Sequence, residues 1–192
     1  MEKWIEFFTS FFHNRDDAKQ FVEPLEALAL EDPRHPAKIM LHQTQRLISI
    51  SDDLPVIRKG KESLQLAFLL ICAENIAKMH DNFDEEGHSR AYVRRFFEQF
   101  LADDDRHILQ ASLTSHRNQP LDLRAIVDAL YGVRCDVVHE GKYWDFHFSD
   151  GDVRMMNGDP DVIVSITLRQ FRDIVVRGCI RAINTYPGRV AP

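Results

Sequence analysis

Leu66-Ala67-Phe68-Leu69-Leu70-Ile71-Cys72-Ala73 is an unbroken apolar run, and Ile76, Ala77 and Met79 continue it on the far side of Glu74. Residues 59–80 therefore read as one helix whose apolar side chains point in every direction. Such a helix is stable only where neighbours cover all of its sides, at the centre of a bundle. The apolar run is too short to span a bilayer. The rest of the chain should supply the cover.

Working outward, amphipathic helices flank this centre. Trp4, Phe7, Phe8, Phe11 and Phe12 recur at three- and four-residue intervals and predict a helix over 3–14. Further helices are expected over 16–30 and 36–50, the second opening on Pro36, with breaks at 32–36 and 51–55. After an acidic loop over 81–87, Ser89 reads as an N-cap for a helix carrying Tyr92, Val93, Phe96, Phe97, Phe100 and Leu101. A shorter helix over 104–113, a polar break over 114–120 and a helix over 121–139 follow. The pattern then changes. Residues 143–148 alternate in period two, 149–152 carry turn chemistry, 153–156 could form a strand, and 162–166 are rich in β-branched residues. A helix over 167–186 closes the chain. The fold class is thus all-α, a helical bundle with a small late β-hairpin at about 143–166. Residues 1–58 form a helical extension packed on a core domain of 59–192.

Composition narrows function by exclusion. With 192 residues, 44% hydrophobic and 28% charged, the chain suits a globular protein with a sizeable core. A formal net charge of -6 argues against a protein that coats nucleic acid nonspecifically, although a local basic site remains compatible. Arginines concentrate from Arg90 to Arg134 and again from Arg169 to Arg181, and most read as solvated helix faces. Cys72, Cys135 and Cys179 have neither zinc nor disulfide-framework spacing, so reduced thiols in a cytoplasmic protein without a secretory leader are the expectation. The nine histidines offer no metal-ligand spacing; His13, His80 and His88 read as surface residues. Asp150-Gly151-Asp152 and Asn157-Gly158-Asp159 read as turns rather than calcium loops. Phosphate-binding glycine loops and serine hydrolase signatures are missing. Neither a metal nor a cofactor is expected.

One short stretch points to chemistry. Leu130-Tyr131-Gly132-Val133-Arg134-Cys135-Asp136-Val137-Val138-His139-Glu140-Gly141 places an arginine and a histidine five positions apart on the last turns of a helix ending at Gly141. A guanidinium offers a fixed fork of donors for phosphate, and an imidazole can give and take a proton near neutrality. An arginine and a histidine at this spacing recur by chance in a chain so rich in both, so the helix-end context carries the reading.

In that context Leu130-Tyr131-x-x-Arg134-x-x-x-Val138-His139-x-Gly141 resembles the helix-terminal signature of HEPN domains, in particular the abortive-infection-like branch. The resemblance spans about residues 59–185, with the dozen around the motif specific. It implies an all-α bundle and a metal-independent endoribonuclease of a defence or toxin–antitoxin system, acting as a homodimer on RNA. His139 would be the general acid or base, and Arg134 would hold the scissile phosphate. An antitoxin or a nucleotidyltransferase is the partner class implied. Active members commonly carry a polar residue after the arginine; here Cys135 occupies that place and Asp136 the next.

Three neighbours support the pair. Asp136 could orient His139 or pair with Arg134, or simply be solvated. Glu74, interrupting the most apolar helix, needs a cation such as Arg134. Tyr131 reads as packing, with stacking on a base as the alternative. The competing function, from a different class, is a noncatalytic helical module that binds a partner protein or a nucleotide and keeps Arg134 as a structural ion-pair member.

Overall fold

The computed structural model describes residues 1–59, 61–82, 87–115, 119–144, 146–149, 155–156 and 159–188. Among them eight α-helices and one small sheet share a single hydrophobic core that draws residues from every helix. The order is α1 (Glu2–Thr9), α2 (Arg15–Glu31), α3 (Pro36–Ile57), α4 (Glu62–His80), α5 (Ser89–Gln99), α6 (Asp103–Ser112), β1 (Leu113–Ser115), α7 (Leu123–Cys135), β2 (Met155–Met156), β3 (Asp159–Val164) and α8 (Leu168–Thr185). The fold is all-α with a small hairpin. No described helix is long and apolar enough to cross a membrane.

Helix α4 is the centre. Leu66, Leu69, Leu70, Cys72, Ala73, Ile76 and Ala77 are all buried, and they face different directions around the helix. Its sides are covered by α3, α5, α7 and α8. Local chemistry fixes where the covering helices begin. The Asn14 side chain accepts from the Asp17 amide at 2.9 Å, and Asp122 accepts from Ala125 at 2.7 Å. At α8, Thr167 and Gln170 cap each other reciprocally. Helix α1 is held by Trp4, whose indole stacks on the His42 imidazole of α3 at 4.2 Å while His42 Nε2 meets Glu26 of α2 at 2.5 Å.

Several sequence expectations are corrected, beginning with α1, which stops at Thr9 instead of running to 14. Helix α3 does not stop at the 51–55 break but runs through Pro55 to Ile57. A proline inside a helix leaves the carbonyl four residues earlier without its donor. That carbonyl is Ser51's, and the Gln65 side-chain amide donates to it at 3.0 Å, while the Ser51 hydroxyl donates to the Gln65 carbonyl at 3.2 Å. Similarly, α5 begins at Ser89 itself, and the preceding His88 makes no side-chain cap.

The sheet also differs from expectation. Among the described residues, 143–148 form no strand beyond a single bridge at Phe146, although their alternation does place Phe146 and Phe148 in the core. Their backbone groups are met elsewhere: the Ser63 hydroxyl donates to the Tyr143 carbonyl, and Glu62 accepts from the Phe148 amide at 2.5 Å. The hairpin is instead β2 with β3, and β1, inside the expected polar break, pairs antiparallel with the other edge of β3 through Leu113 opposite Val164. The expected loop at 83–86, turn at 150–152, strand residues 153–154 and the Asn157-Gly158 turn lie outside the described residues.

Helix α8 approaches α5 at Gly178, where an added Cβ would lie 2.7 Å from Phe96 Cζ and 3.3 Å from a Leu101 methyl carbon. Phe96 is fully buried and cannot swing away. Overpacking of this kind costs about 1–3 kcal/mol, against a helix-propensity gain of at most about 1 kcal/mol. Gly178→Ala is therefore expected to lower the melting temperature by a few degrees in thermal unfolding. A rise would show that the contact is loose.

Candidate functional site

Helix α7 runs antiparallel to α4, because Arg134 lies against Glu74 while Tyr143, beyond the helix end, reaches back to Ser63. Ile126, Val127, Leu130 and Tyr131 form its buried face. After Cys135 the helix widens into a π turn over Asp136–Glu140, and Gly141 ends it in the left-handed conformation at φ 66°. The Asp136 carbonyl accepts both from the Gly141 amide and from the Lys142 amide, the latter at 3.1 Å. A positive φ suits glycine because no Cβ meets the carbonyl, so Gly141 is the natural end of this turn.

The wide turn alters the relation between the two motif residues. Five steps of a regular α-helix separate them by roughly 140° of rotation. A turn closed by an i to i+5 bond spreads each rotation over more residues, which brings His139 closer to the side of Arg134 than regular helix would. His139 stands exposed on this turn with Val138 and Glu140. Lys142 hydrogen-bonds Glu140 and, with a lesser contribution from the nearby His139, holds its carboxyl below the usual range.

Arg134 sits deeper. Its side chain is 15% exposed; Nη2 reaches Glu74 Oε2 at 3.4 Å, and Nε is buried without a hydrogen-bond partner among the described residues. Glu74 is enclosed in α4, and its other oxygen takes Lys78 Nζ at 2.6 Å. The carboxylate that interrupts the apolar helix is thus met by two cations. The guanidinium also lies 5.3 Å from the centre of the Tyr131 ring, and Arg90, from the first turn of α5, lies 5.2 Å from the same ring. Tyr131 is only 7% exposed, which leaves its ring no open face for a base. Burial raises its phenol above the ordinary value, against the opposing pull of Arg134, so it stays protonated near neutrality. Asp136 is half-buried, and among the described residues its side chain bonds neither His139 nor Arg134. Cys135 packs on the core as a free thiol.

The structure therefore brings together Glu74, Arg134 and Tyr131, with His139 one turn further on and Asp136 between. Lys78 and Arg90 were missed by the sequence reading. Lys78 was legible, since it stands four residues after Glu74 on one helix face. Arg90 depends on α5 packing against α7, a tertiary fact. Comparisons with protein-family models, with curated proteins and with solved structures give no match for this chain.

Two measurements follow. Arg134→Ala leaves Glu74 its bond to Lys78, so the expected loss of stability is about 1–3 kcal/mol. Glu74→Ala strands a buried guanidinium and should cost more, about 3–5 kcal/mol; urea unfolding of the two variants reads the order. On the neighbouring turn, Asp128 has its pKa lowered by hydrogen bonds from Arg94 first, then by the charges of Arg94, Arg90 and Arg124. A depressed carboxylate stabilises the fold above its unfolded pKa and loses that contribution as pH falls through its folded value. The stability gap between the protein and Asp128→Asn should thus be present at neutral pH and close in strong acid.

Proposed function

We propose that the chain is a HEPN-like, metal-independent endoribonuclease of a defence or toxin–antitoxin type, working in the cytoplasm as a homodimer in which each copy supplies Arg134 and His139. The observation that carries this reading is the π turn that presents His139 to solvent one turn beyond Arg134. Such turns cost regular hydrogen bonding and occur frequently at functional sites.

The chemistry needs few parts. An imidazole of one copy takes the proton of a ribose 2′-hydroxyl, and the 2′-oxygen attacks the adjacent phosphorus. The bond to the 5′-oxygen breaks, the partner's imidazole protonates the leaving oxygen, and a 2′,3′-cyclic phosphate remains. Arg134 offsets the charge that grows on the phosphoryl oxygens. One chain has one such histidine, so a twofold site supplies the second proton-transfer group. Control would come from a bound antitoxin or a nucleotidyltransferase partner.

A second reading has its own observation. Arg134 is largely enclosed and engaged with Glu74, as expected for a noncatalytic module that uses the arginine to join α7 to α4. Cleavage of RNA in the presence of a chelator separates the two. His139→Ala, an exposed position, should abolish cleavage by orders of magnitude with the melting temperature unchanged. Intact RNA after prolonged incubation with the unaltered protein would leave the binding module as the function.

A further inference from the structure

Asp128 sits among three arginines. Arg94 binds it through two hydrogen bonds, at 2.6 and 2.5 Å, and Arg90 and Arg124 are close enough to depress its carboxyl further. Arg124, Asp128 and Tyr131 recur at four- and three-residue intervals along α7, and Arg134 follows three residues on. Arg90 and Arg94 stand four apart on α5, which packs alongside. The two helices thus meet in a seam carrying Arg124, Arg94, Arg90 and Arg134 in that order, with Lys78 behind it on α4, bound to Glu74. Asp128, Glu74 and Glu98, the last near Arg94, are carboxylates that face these cations among the described residues. Asp122 and Asp136 stand at the two ends of the seam, so the charge it can offer a ligand is that of its exposed arginines, on a chain whose net charge is -6.

Among the described residues, two of these arginines are held by no hydrogen bond or ion pair of their own. Arg94 and Arg134 are part-buried and committed to carboxylates, whereas Arg90 and Arg124 are exposed. Arg90 has its side chain over an aromatic ring, a contact that leaves the guanidinium edge open to an oxyanion. From Arg124 to Arg134 the seam extends ten residues of helix, roughly 15 Å, enough for several consecutive backbone phosphates. Its far end is the π turn that carries His139.

We propose that the α5–α7 seam is a track for the phosphate backbone of single-stranded RNA, with Arg90 and Arg124 as phosphate-contacting residues that lead the strand to Arg134 and His139. The track rests on the ribonuclease reading for the polymer it takes, but its evidence is the charge arrangement rather than the motif. Contacts of this kind read no bases; they set register and carry affinity that falls with salt.

The test is fluorescence anisotropy with a short labelled single-stranded RNA and the His139→Ala protein, titrated over a range of salt. Each phosphate contact removed should lower the slope of log affinity against log salt by about 0.7. Arg90→Ala and Arg124→Ala should each do so, and together roughly double the change, with unaltered melting temperatures. Arg46→Ala, an exposed arginine on α3, serves as the control and should leave the slope alone. Equal slopes in all three variants, or an equal fall for Arg46→Ala, would overturn the track. Cleavage by the unaltered protein separates the two proposals. Seam-dependent binding without cleavage keeps the track and removes the nuclease, cleavage with seam-independent binding does the reverse, and no binding together with no cleavage removes both.

Discussion

A helix that is apolar on every side can exist in water only if it is enclosed, and α4 is such a helix. The constraint decides the rest of the architecture, because α3, α5, α7 and α8 each have to present an apolar stripe to it. Enclosure also creates a difficulty at Glu74. A carboxylate shut inside the bundle is tolerable only beside positive charge, and Lys78 and Arg134 provide it. One of those cations belongs to α4 and the other to α7, so the same pair that neutralises the acid sets how α7 lies along α4. The motif region is consequently positioned by an electrostatic requirement of the core.

The helices were legible because amphipathic periodicity survives in the sequence wherever one face is buried, as in Tyr92, Val93, Phe96 and Phe97. What escaped was set by contacts remote in the chain. Pro55 reads as a stop, yet α3 continues through it, and the amide of Gln65, ten residues later, meets the carbonyl that the proline leaves without a donor. The alternation of Phe146 and Phe148 correctly foretold which side chains are buried, yet not that the segment stops at a single bridge, where Glu62 and Ser63 meet two of the backbone groups a longer strand would have paired. Three residues at 113–115 were too short a strand to show any period.

At the candidate site the pairing of Glu74 with Arg134 was readable, because a lone acid in an apolar helix demands a cation somewhere in the chain. The arginines around Asp128 were not. Their meeting depends on the register of α5 against α7, and nothing local in either segment announces it. The π turn was hidden for a different reason: no residue type marks a bond from i+5 as against i+4, and only Gly141 signalled that the helix ends there.

That turn has a bearing on how motif spacing should be counted. An i to i+5 closure is geometrically one extra residue absorbed into a helix without breaking it. Removing one residue between Asp136 and Glu140 would let the segment relax into ordinary α-helix with Gly141 still closing it. The separation of Arg134 and His139 would shorten by one in sequence, yet the histidine would emerge on nearly the same side of the helix. Spacing along the chain and direction in space are thereby uncoupled, and a helix end built this way can tolerate a change in length at the place where an exact count would appear most important.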